Sequence, residues 1–292
     1  MKICGIEAGG TKFILGIGDE NGTIMVRESF PTTSPFETIA LCKSFITKHK
    51  PDVLGIASFG PIDLDKKSLT YGNITSTPKP GWANTPLVSE LRKVFKGPIG
   101  FDTDVNGAAL GESIWGKGKD VASCLYLTIG TGIGGGYVEN NQCLHGLLHP
   151  EMGHILLTQH PDDHFEGICP FHKNCFEGLA SGPAIEARYK QKASSLDQNH
   201  IAWEIEAYYI AQALVNYILI LSPNRILLGG GVMHQKHLFP LIRKQVRELL
   251  KDYIQHPFIL NLDESYITYP GLLDDSGLLG AFALALQESK RI

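Results

Sequence analysis

Three times along this chain an apolar segment of β character runs straight into a cluster of glycines, and each cluster leaves differently. The first, Gly5-Ile6-Glu7-Ala8-Gly9-Gly10-Thr11-Lys12, continues into Phe13-Ile14-Leu15 as a second strand. The second, Leu127-Thr128-Ile129-Gly130-Thr131-Gly132-Ile133-Gly134-Gly135-Gly136, continues into Tyr137-Val138-Glu139 and an Asn140-Asn141 turn. The third, Leu228-Gly229-Gly230-Gly231-Val232-Met233, enters a helical pattern. Glycine in such turns lets main-chain N–H groups come close to a phosphate. The exits from the first two turns disfavour two common nucleotide folds. A P-loop needs Gly-Lys-Ser/Thr and then a helix, whereas the first turn has Gly-Thr-Lys and then a strand. Gly130, Gly132 and Gly135 satisfy G-x-G-x-x-G, but a dinucleotide fingerprint must open a helix. Two glycine hairpins suggest instead a clamp on both sides of a polyphosphate. Gly9, Gly10, Thr11 and Lys12 would form one side, and Gly130, Thr131 and Gly132 the other. Gly230 and Gly231, at a helix N-terminus, suit a ribose, base or α-phosphate. The plain alternatives are an ordinary hairpin turn at the first site and a tight strand–helix joint at the third.

Between the turns, strand and helix patterns alternate. Strands are expected at 2–8, 12–18, 23–30, 53–57, 98–102, 123–129, 136–139 and 225–228. Helices are expected at 35–49 (with Ser34 as N-cap), 85–95, 104–115, 183–192, 199–221, 235–254 and 277–288. Residues 61–84 and 150–180 read as loop. This interleaving is an α/β pattern. The stretch Trp115-Gly116-Lys117-Gly118-Lys119-Asp120 is the expected boundary, giving domains 1–117 and 118–292. Gly5–Leu15 and Leu125–Tyr137 open the two halves in the same way, a weak internal duplication.

The chain has 292 residues and a net charge of −4, which argues against nucleic acid and anionic membranes as partners. Its longest apolar stretch, Tyr208 to Pro223, is interrupted by Gln212 and Asn216. It falls short of the roughly 20 residues a membrane span needs, so it reads as a buried helix. The opening Met1-Lys2-Ile3-Cys4 passes directly into strand, with no secretory apolar region. Six cysteines in this length do not make a disulfide framework, which points to a reducing cytoplasm. Cys4, Cys42, Cys124 and Cys143 lie in apolar segments and read as buried thiols.

Cys169 and Cys175 are different. The stretch Cys169-Pro170-Phe171-His172-Lys173-Asn174-Cys175 is C-x2-H-x2-C. With His154 it offers four ligands of the type that close a tetrahedral structural zinc site. Such a site would tie down the 150–180 loop, which otherwise has little core.

Taken together, these motifs resemble the ROK family of sugar kinases and regulators, within the actin-like ATPase superfamily, from Gly5 to about Ala285. The resemblance implies a two-domain actin-like (ribonuclease H-like) α/β fold with a cleft between the domains. The first turn resembles the family's Asp-x-Gly-Gly-Thr-Lys motif, with Glu7 where Asp is usual. The Glu-Ala-Gly-Gly-Thr-Lys form is similar to the fructokinase branch, and its carboxylate is expected to act near Mg²⁺ through water. Phe101 to Glu112 resembles the family's Asn-Asp-x-Asn-x-Ala-x-x-Gly-Glu stretch, which places the general base on Asp104. Aspartate is also favoured as a helix N-cap, the alternative reading of that residue. Thr103 replaces the usual Asn beside it and is an expected sugar contact. By resemblance Glu151, His154 and Glu177 contact sugar hydroxyls, and the zinc site is the family's own. Pro183 lies near the nucleotide, and Gly60 and Trp82 match loops that border the sugar.

The function implied is ATP-dependent phosphorylation of fructose, with ATP, Mg²⁺ and structural Zn²⁺, in a cytoplasmic homodimer. The alternatives are a ROK kinase for glucose, mannose or an N-acetylated hexosamine, and, in a different class, a non-catalytic sugar-responsive regulator. Regulators of this family carry an N-terminal helix-turn-helix, for which a strand starting at residue 2 leaves no place. A filament-forming actin-like ATPase has no use for Asp104, Glu151 and Glu177 beside a zinc-ordered loop. His145, His149 and His164 show no spacing that assigns them a role.

Overall fold

The computed structural model describes residues 1–262 and 264–290. Its first sheet arises from runs of residues such as Ile3-Cys4-Gly5-Ile6, apolar on successive positions, which suit strands covered on both faces. The strands are β1 (Ile3–Ala8), β2 (Lys12–Gly18), β3 (Ile24–Pro31), β4 (Val53–Ser58) and β5 (Ile99–Thr103), in the order β3-β2-β1-β4-β5. β1, β2 and β3 form an antiparallel meander, while β4 and β5 extend β1 in parallel. β1 and β4 are almost wholly buried, whereas the edge strand β3 is mostly exposed or half-exposed.

Helix α1 (Pro35–His49) starts at Ser34, whose Oγ accepts the Glu37 N–H at 3.3 Å and donates to the Glu37 carboxylate at 2.9 Å. It ends at Lys50 in the left-handed region. A short α2 (Leu87–Arg92) precedes β5, and α3 (Asp104–Ile114) comes directly after it. The last helix, α9 (Ser276–Ser289), packs against this same sheet through glycines. A Cβ on Gly55 would lie 1.7 Å from the Ala281 carbonyl oxygen, and one on Gly100 would lie 2.1 Å from that of Leu284. α3 crosses α9 equally closely, because a Cβ on Gly280 would lie 2.2 Å from the Gly107 carbonyl carbon. Backbone-to-backbone approach of this kind leaves no room for side chains.

These contacts decide how the chain divides. One unit holds residues 1–120, 137–150 and 271 onward, and the other holds 121–136 and 151–270. The division therefore differs from a single cut at 117/118. The C-terminal helix returns to the N-terminal sheet because that sheet presents glycines to it.

The second sheet runs β10-β9-β6-β7-β8, comprising β6 (Ser123–Ile129), β7 (Ile133–Glu139), β8 (Gln142–Cys143), β9 (Arg225–Gly229) and β10 (Ile267–Thr268). β6, β9 and β10 are parallel. The helices of this part of the chain are α4 (Phe176–Ala180), α5 (Gly182–Tyr189), α6 (Ala202–Leu221), α7 (Leu238–Leu250) and α8 (Pro257–Asn261). α6 contains the longest apolar stretch as far as Leu221 and is buried over most of its length. No helix among the described residues is long and apolar enough to cross a membrane. Four short elements, β8, α4, α8 and β10, have no counterpart in the sequence pattern, because two to five residues carry too little periodicity to register.

Candidate active site

In the first unit the register of the parallel strands gathers the candidate residues at one end of the sheet. Ala8 pairs with Ser58, and Ser58 with Thr103. The turn after β1, the loop after β4 and the start of α3 therefore emerge side by side at the carboxyl ends of these strands, where open α/β sheets bind ligands. The first turn is closed by the Gly9 N–H donating to the Lys12 carbonyl at 3.1 Å, and Thr32 Oγ1 donates to the Gly9 carbonyl at 2.6 Å. Gly10 faces open space, while Thr11 and Lys12 are exposed.

Thr103 caps α3 by accepting the Asn106 N–H on Oγ1 at 3.1 Å. Asp104 is thus the first residue of the helix rather than its cap. Its Oδ1 accepts the Val105 N–H at 2.9 Å. Burial lifts the Asp104 carboxyl to about 6. Burial, reinforced by the Asp104 charge, lifts Glu7 to about 7. Glu7 Oε2 is buried and has no hydrogen-bond partner. A buried carboxylate oxygen without a donor calls for an explanation such as an ion or bound water.

In the second unit, three nucleotide candidates converge. Gly130 donates its N–H to the Gly132 carbonyl at 2.9 Å, and its own carbonyl accepts the Gly182 N–H at 2.8 Å. The glycine turn after β6 is thereby tied to the start of α5, where Pro183 occupies the first turn. Gly230 has φ of +88°, and a Cβ there would collide with the Ile129 backbone at 2.5 Å. Only glycine meets both conditions, so the third turn lies directly against the end of β6. Glu177, at the start of α4, accepts the Ile133 N–H on Oε2 at 2.9 Å.

The same unit holds the Cys/His cluster. The ligand atoms of His154, Cys169, His172 and Cys175 all lie within 4.8 Å of one another. His154 Nδ1 stands 3.8 Å from Cys169 Sγ and 3.5 Å from Cys175 Sγ, and His172 Nδ1 stands 3.7 Å from Cys169 Sγ. A tetrahedral ion bonded at 2.0–2.3 Å sets ligand separations of roughly 3.3–3.8 Å, so the donor set and its spacing fit zinc. His154 turns Nδ1 to the thiols, which leaves Nε2 for a second role.

Comparison with known proteins places the chain in a family. The ROK family model matches residues 3–288. The chain belongs to the ROK family. A fructokinase of Streptococcus mutans is 46% identical over 292 residues, covering 98% of each chain. A fructokinase of Zymomonas mobilis is 44% identical, covering 98% of this chain and 97% of its own. A ROK hexokinase from Thermus thermophilus, 24% identical, superposes over the whole of both chains with a TM-score of 0.79, a likeness of fold. The actin-like ATPase fold of ROK kinases is thus the fold of this chain.

Within this ROK chain the sequence candidates are not all placed alike. Glu7, Gly9 to Lys12, Gly60, Thr103 and Asp104 belong to the first unit, and Gly130 to Gly132, Glu151, His154, Glu177, Pro183, Gly230 and Gly231 to the second. Trp82 needs correction. It is fully buried between Phe13 and Phe59, and its Nε1 donates to the Thr33 carbonyl at 2.8 Å. The indole is core and leaves no face for a sugar.

Two histidines that carried no signal have defined partners in the ROK fold. His145 Nε2 lies 2.8 Å from Asp102 Oδ2, and the other oxygen of that carboxylate accepts from the Thr103 N–H and from Asn106 Nδ2, both at 2.8 Å. His149 Nε2 accepts the Ile62 N–H at 3.1 Å, just past Gly60, and burial lowers the pKa of its ring. These contacts span more than 40 residues of sequence, and no local pattern announces them. Glu112, the last residue of the Phe101–Glu112 stretch, is fully buried and gathers donors from residues 117 and 271–276.

Proposed function

We propose that this ROK protein transfers the γ-phosphoryl group of ATP to the C6 hydroxyl of fructose, with Asp104 as general base. The observation that carries the reading is the state of Asp104. It sits at the carboxyl end of a parallel strand, is relieved of capping by Thr103, and is lifted by burial to about 6. A base with a pKa near working pH both accepts a proton readily and exists in the accepting form. As the sugar oxygen attacks the γ-phosphorus, its proton passes to Asp104 and the bond from phosphorus to the ADP oxygen breaks. Thr103 Oγ1 accepts the Asn106 N–H, so its hydroxyl proton is available to a sugar oxygen. The choice of fructose rests on the identity of 46% and 44% with two fructokinases over nearly the whole chain.

The glycine turns at Gly9–Lys12, Gly130–Gly132 and Gly230–Gly231, with Pro183, would hold the nucleotide. Glu7, with its unpartnered buried oxygen, would hold the accompanying Mg²⁺ through water. That ion supplies neutralisation of phosphate charge in phosphoryl transfer. His154, Cys169, His172 and Cys175 would hold a structural zinc, and so fix Glu151, His154 and Glu177 for sugar hydroxyls. Resemblance to ROK kinases extends the proposal to a cytoplasmic homodimer, which sedimentation checks.

The test is coupled ADP release from Mg-ATP with fructose, glucose, mannose and N-acetylated hexosamines. Fructose should give the highest kcat/KM, and Asp104→Asn should lose a factor of about 10²–10⁴ in kcat. Another sugar in first place would overturn the substrate but not the chemistry. Full activity in Asp104→Asn would remove the base.

A further inference from the structure

We propose that Gly277 is a positioning residue for Glu7: it vacates the space that the longer glutamate arm needs, so Glu at position 7 and Gly at position 277 work as a pair. The proposal rests on the reading of Glu7 as the carboxylate that serves the nucleotide's metal.

Gly277 is the second residue of α9. Glycine there weakens the helix relative to alanine. Gly277 is not among the glycines with positive φ, so its backbone conformation does not require it. What requires it is the neighbour. A Cβ on Gly277 would lie 2.3 Å from Glu7 Cδ, 2.5 Å from Oε1 and 2.7 Å from Oε2. Real Cβ atoms essentially never approach closer than 3.0 Å.

The contact is with the far end of the Glu7 side chain, which can move, whereas the two backbones are held. The first turn of α9 is held by Glu112, whose Oε1 accepts the Leu272 N–H at 2.8 Å and Ser276 Oγ at 3.0 Å. One turn further on, Gly280 stands against the Gly107 backbone, so the helix cannot shift closer to α3. Glu7 lies on β1, paired on one side to β2 and on the other to β4. Its carboxyl therefore has one way to yield to a methyl group at 277, which is to swing off its present position. Oε2, now buried without a partner, would then no longer face whatever fills that place. Aspartate at position 7 retracts the carboxyl by about 1.3 Å, one methylene. That draws the carboxyl back toward β1 and relieves the contact with a Cβ at position 277.

The experiment titrates Mn²⁺ onto the full-length protein in the presence of ADP and reads free Mn²⁺ by electron paramagnetic resonance. ADP binding in EDTA and thermal unfolding are measured alongside. Gly277→Ala should weaken Mn²⁺ binding by roughly 10–100-fold, the range for lost metal-positioning contacts, with ADP binding in EDTA unchanged. Glu7→Asp/Gly277→Ala should bind Mn²⁺ as Glu7→Asp does. Wild-type Mn²⁺ binding by Gly277→Ala overturns the pairing while leaving Glu7 its role, provided Glu7→Gln loses Mn²⁺. If Glu7→Gln binds as wild type, the reading of Glu7 and the pairing fall together. If Gly277→Ala does not fold, the double variant decides. A folded double supports the pairing, and an unfolded one shows that the Cβ is excluded for reasons other than Glu7.

Discussion

Replacing Glu112 should destabilise the protein by an amount the hydrogen-bond geometry sets. Oε2 accepts the Lys117 and Gly271 N–H groups, each at 2.9 Å, and Oε1 accepts the Leu272 N–H at 2.8 Å and Ser276 Oγ at 3.0 Å. The residue is fully buried. A buried donor that loses its acceptor costs about 1–3 kcal/mol. In Glu112→Gln the amide NH₂ can replace either oxygen. Placed at Oε1 it does least harm, because the Ser276 hydroxyl can turn and accept, which leaves one orphaned N–H. The expected loss is then about 1–3 kcal/mol. Glu112→Ala orphans three backbone N–H groups at once, roughly 3–9 kcal/mol against a typical total of 5–15. The assay is thermal unfolding monitored by far-ultraviolet circular dichroism. Glu112→Gln should lower Tm by about 2–6 °C, taking about 2 °C per kcal/mol for a chain of this size. Glu112→Ala should fall much further or fail to accumulate. A Glu112→Gln Tm equal to that of wild type would refute the reasoning, because it would mean that the amide leaves no donor unsatisfied.

Four further outcomes are expected. Glu206 is fully buried with both oxygens unpartnered, and burial raises its pKa well above the ordinary value. The unfolded chain ionises from about pH 4.3 upward while the folded chain keeps the proton, so stability is lost as pH rises. The Tm of Glu206→Gln relative to wild type should therefore climb from pH 4 to pH 8, and a flat difference would count against it. With carboxyls lifted to about 6 at Asp104 and about 7 at Glu7, kcat/KM should fall on the acid side of neutrality, and a limb centred below pH 4.5 would contradict both shifts. The zinc proposed for the Cys/His cluster predicts about one equivalent by atomic absorption in the wild type, lost with a lowered Tm in Cys175→Ser, since structural zinc binding is folding free energy; a wild type without zinc would refute the proposal. Trp82→Phe should cost about 1 kcal/mol through the stranded Thr33 carbonyl and leave KM for the sugar unchanged; a raised KM would restore Trp82 to the sugar site.

Much of this chain was legible locally. The long elements announced themselves, because a buried strand needs a continuous apolar run and a helix such as Pro35–His49 needs an apolar face and a cap. The four zinc candidates were legible because three of them fall within seven residues, and the loop closes His154 onto them. The first two glycine turns were legible because both exit into strands, which disfavours a P-loop and a dinucleotide fingerprint, whereas the third leads into a four-residue 3-10 turn and α7 begins only at Leu238.

What tertiary structure alone decided depends on contacts between distant segments. No spacing predicts that α9 returns to the first sheet through Gly55 and Gly100, or that Glu112 collects donors from residues more than 150 positions away. The same holds for His145 on Asp102 and His149 on the Ile62 N–H. Trp82 shows the converse, since an aromatic in a glycine- and proline-rich loop looks like a ligand contact until packing encloses it. Sequence determines the local conformations and the chemical groups on offer. Which of those groups are enclosed, paired or left with an empty valence depends on which backbones can approach closely, and that is a property of the folded chain.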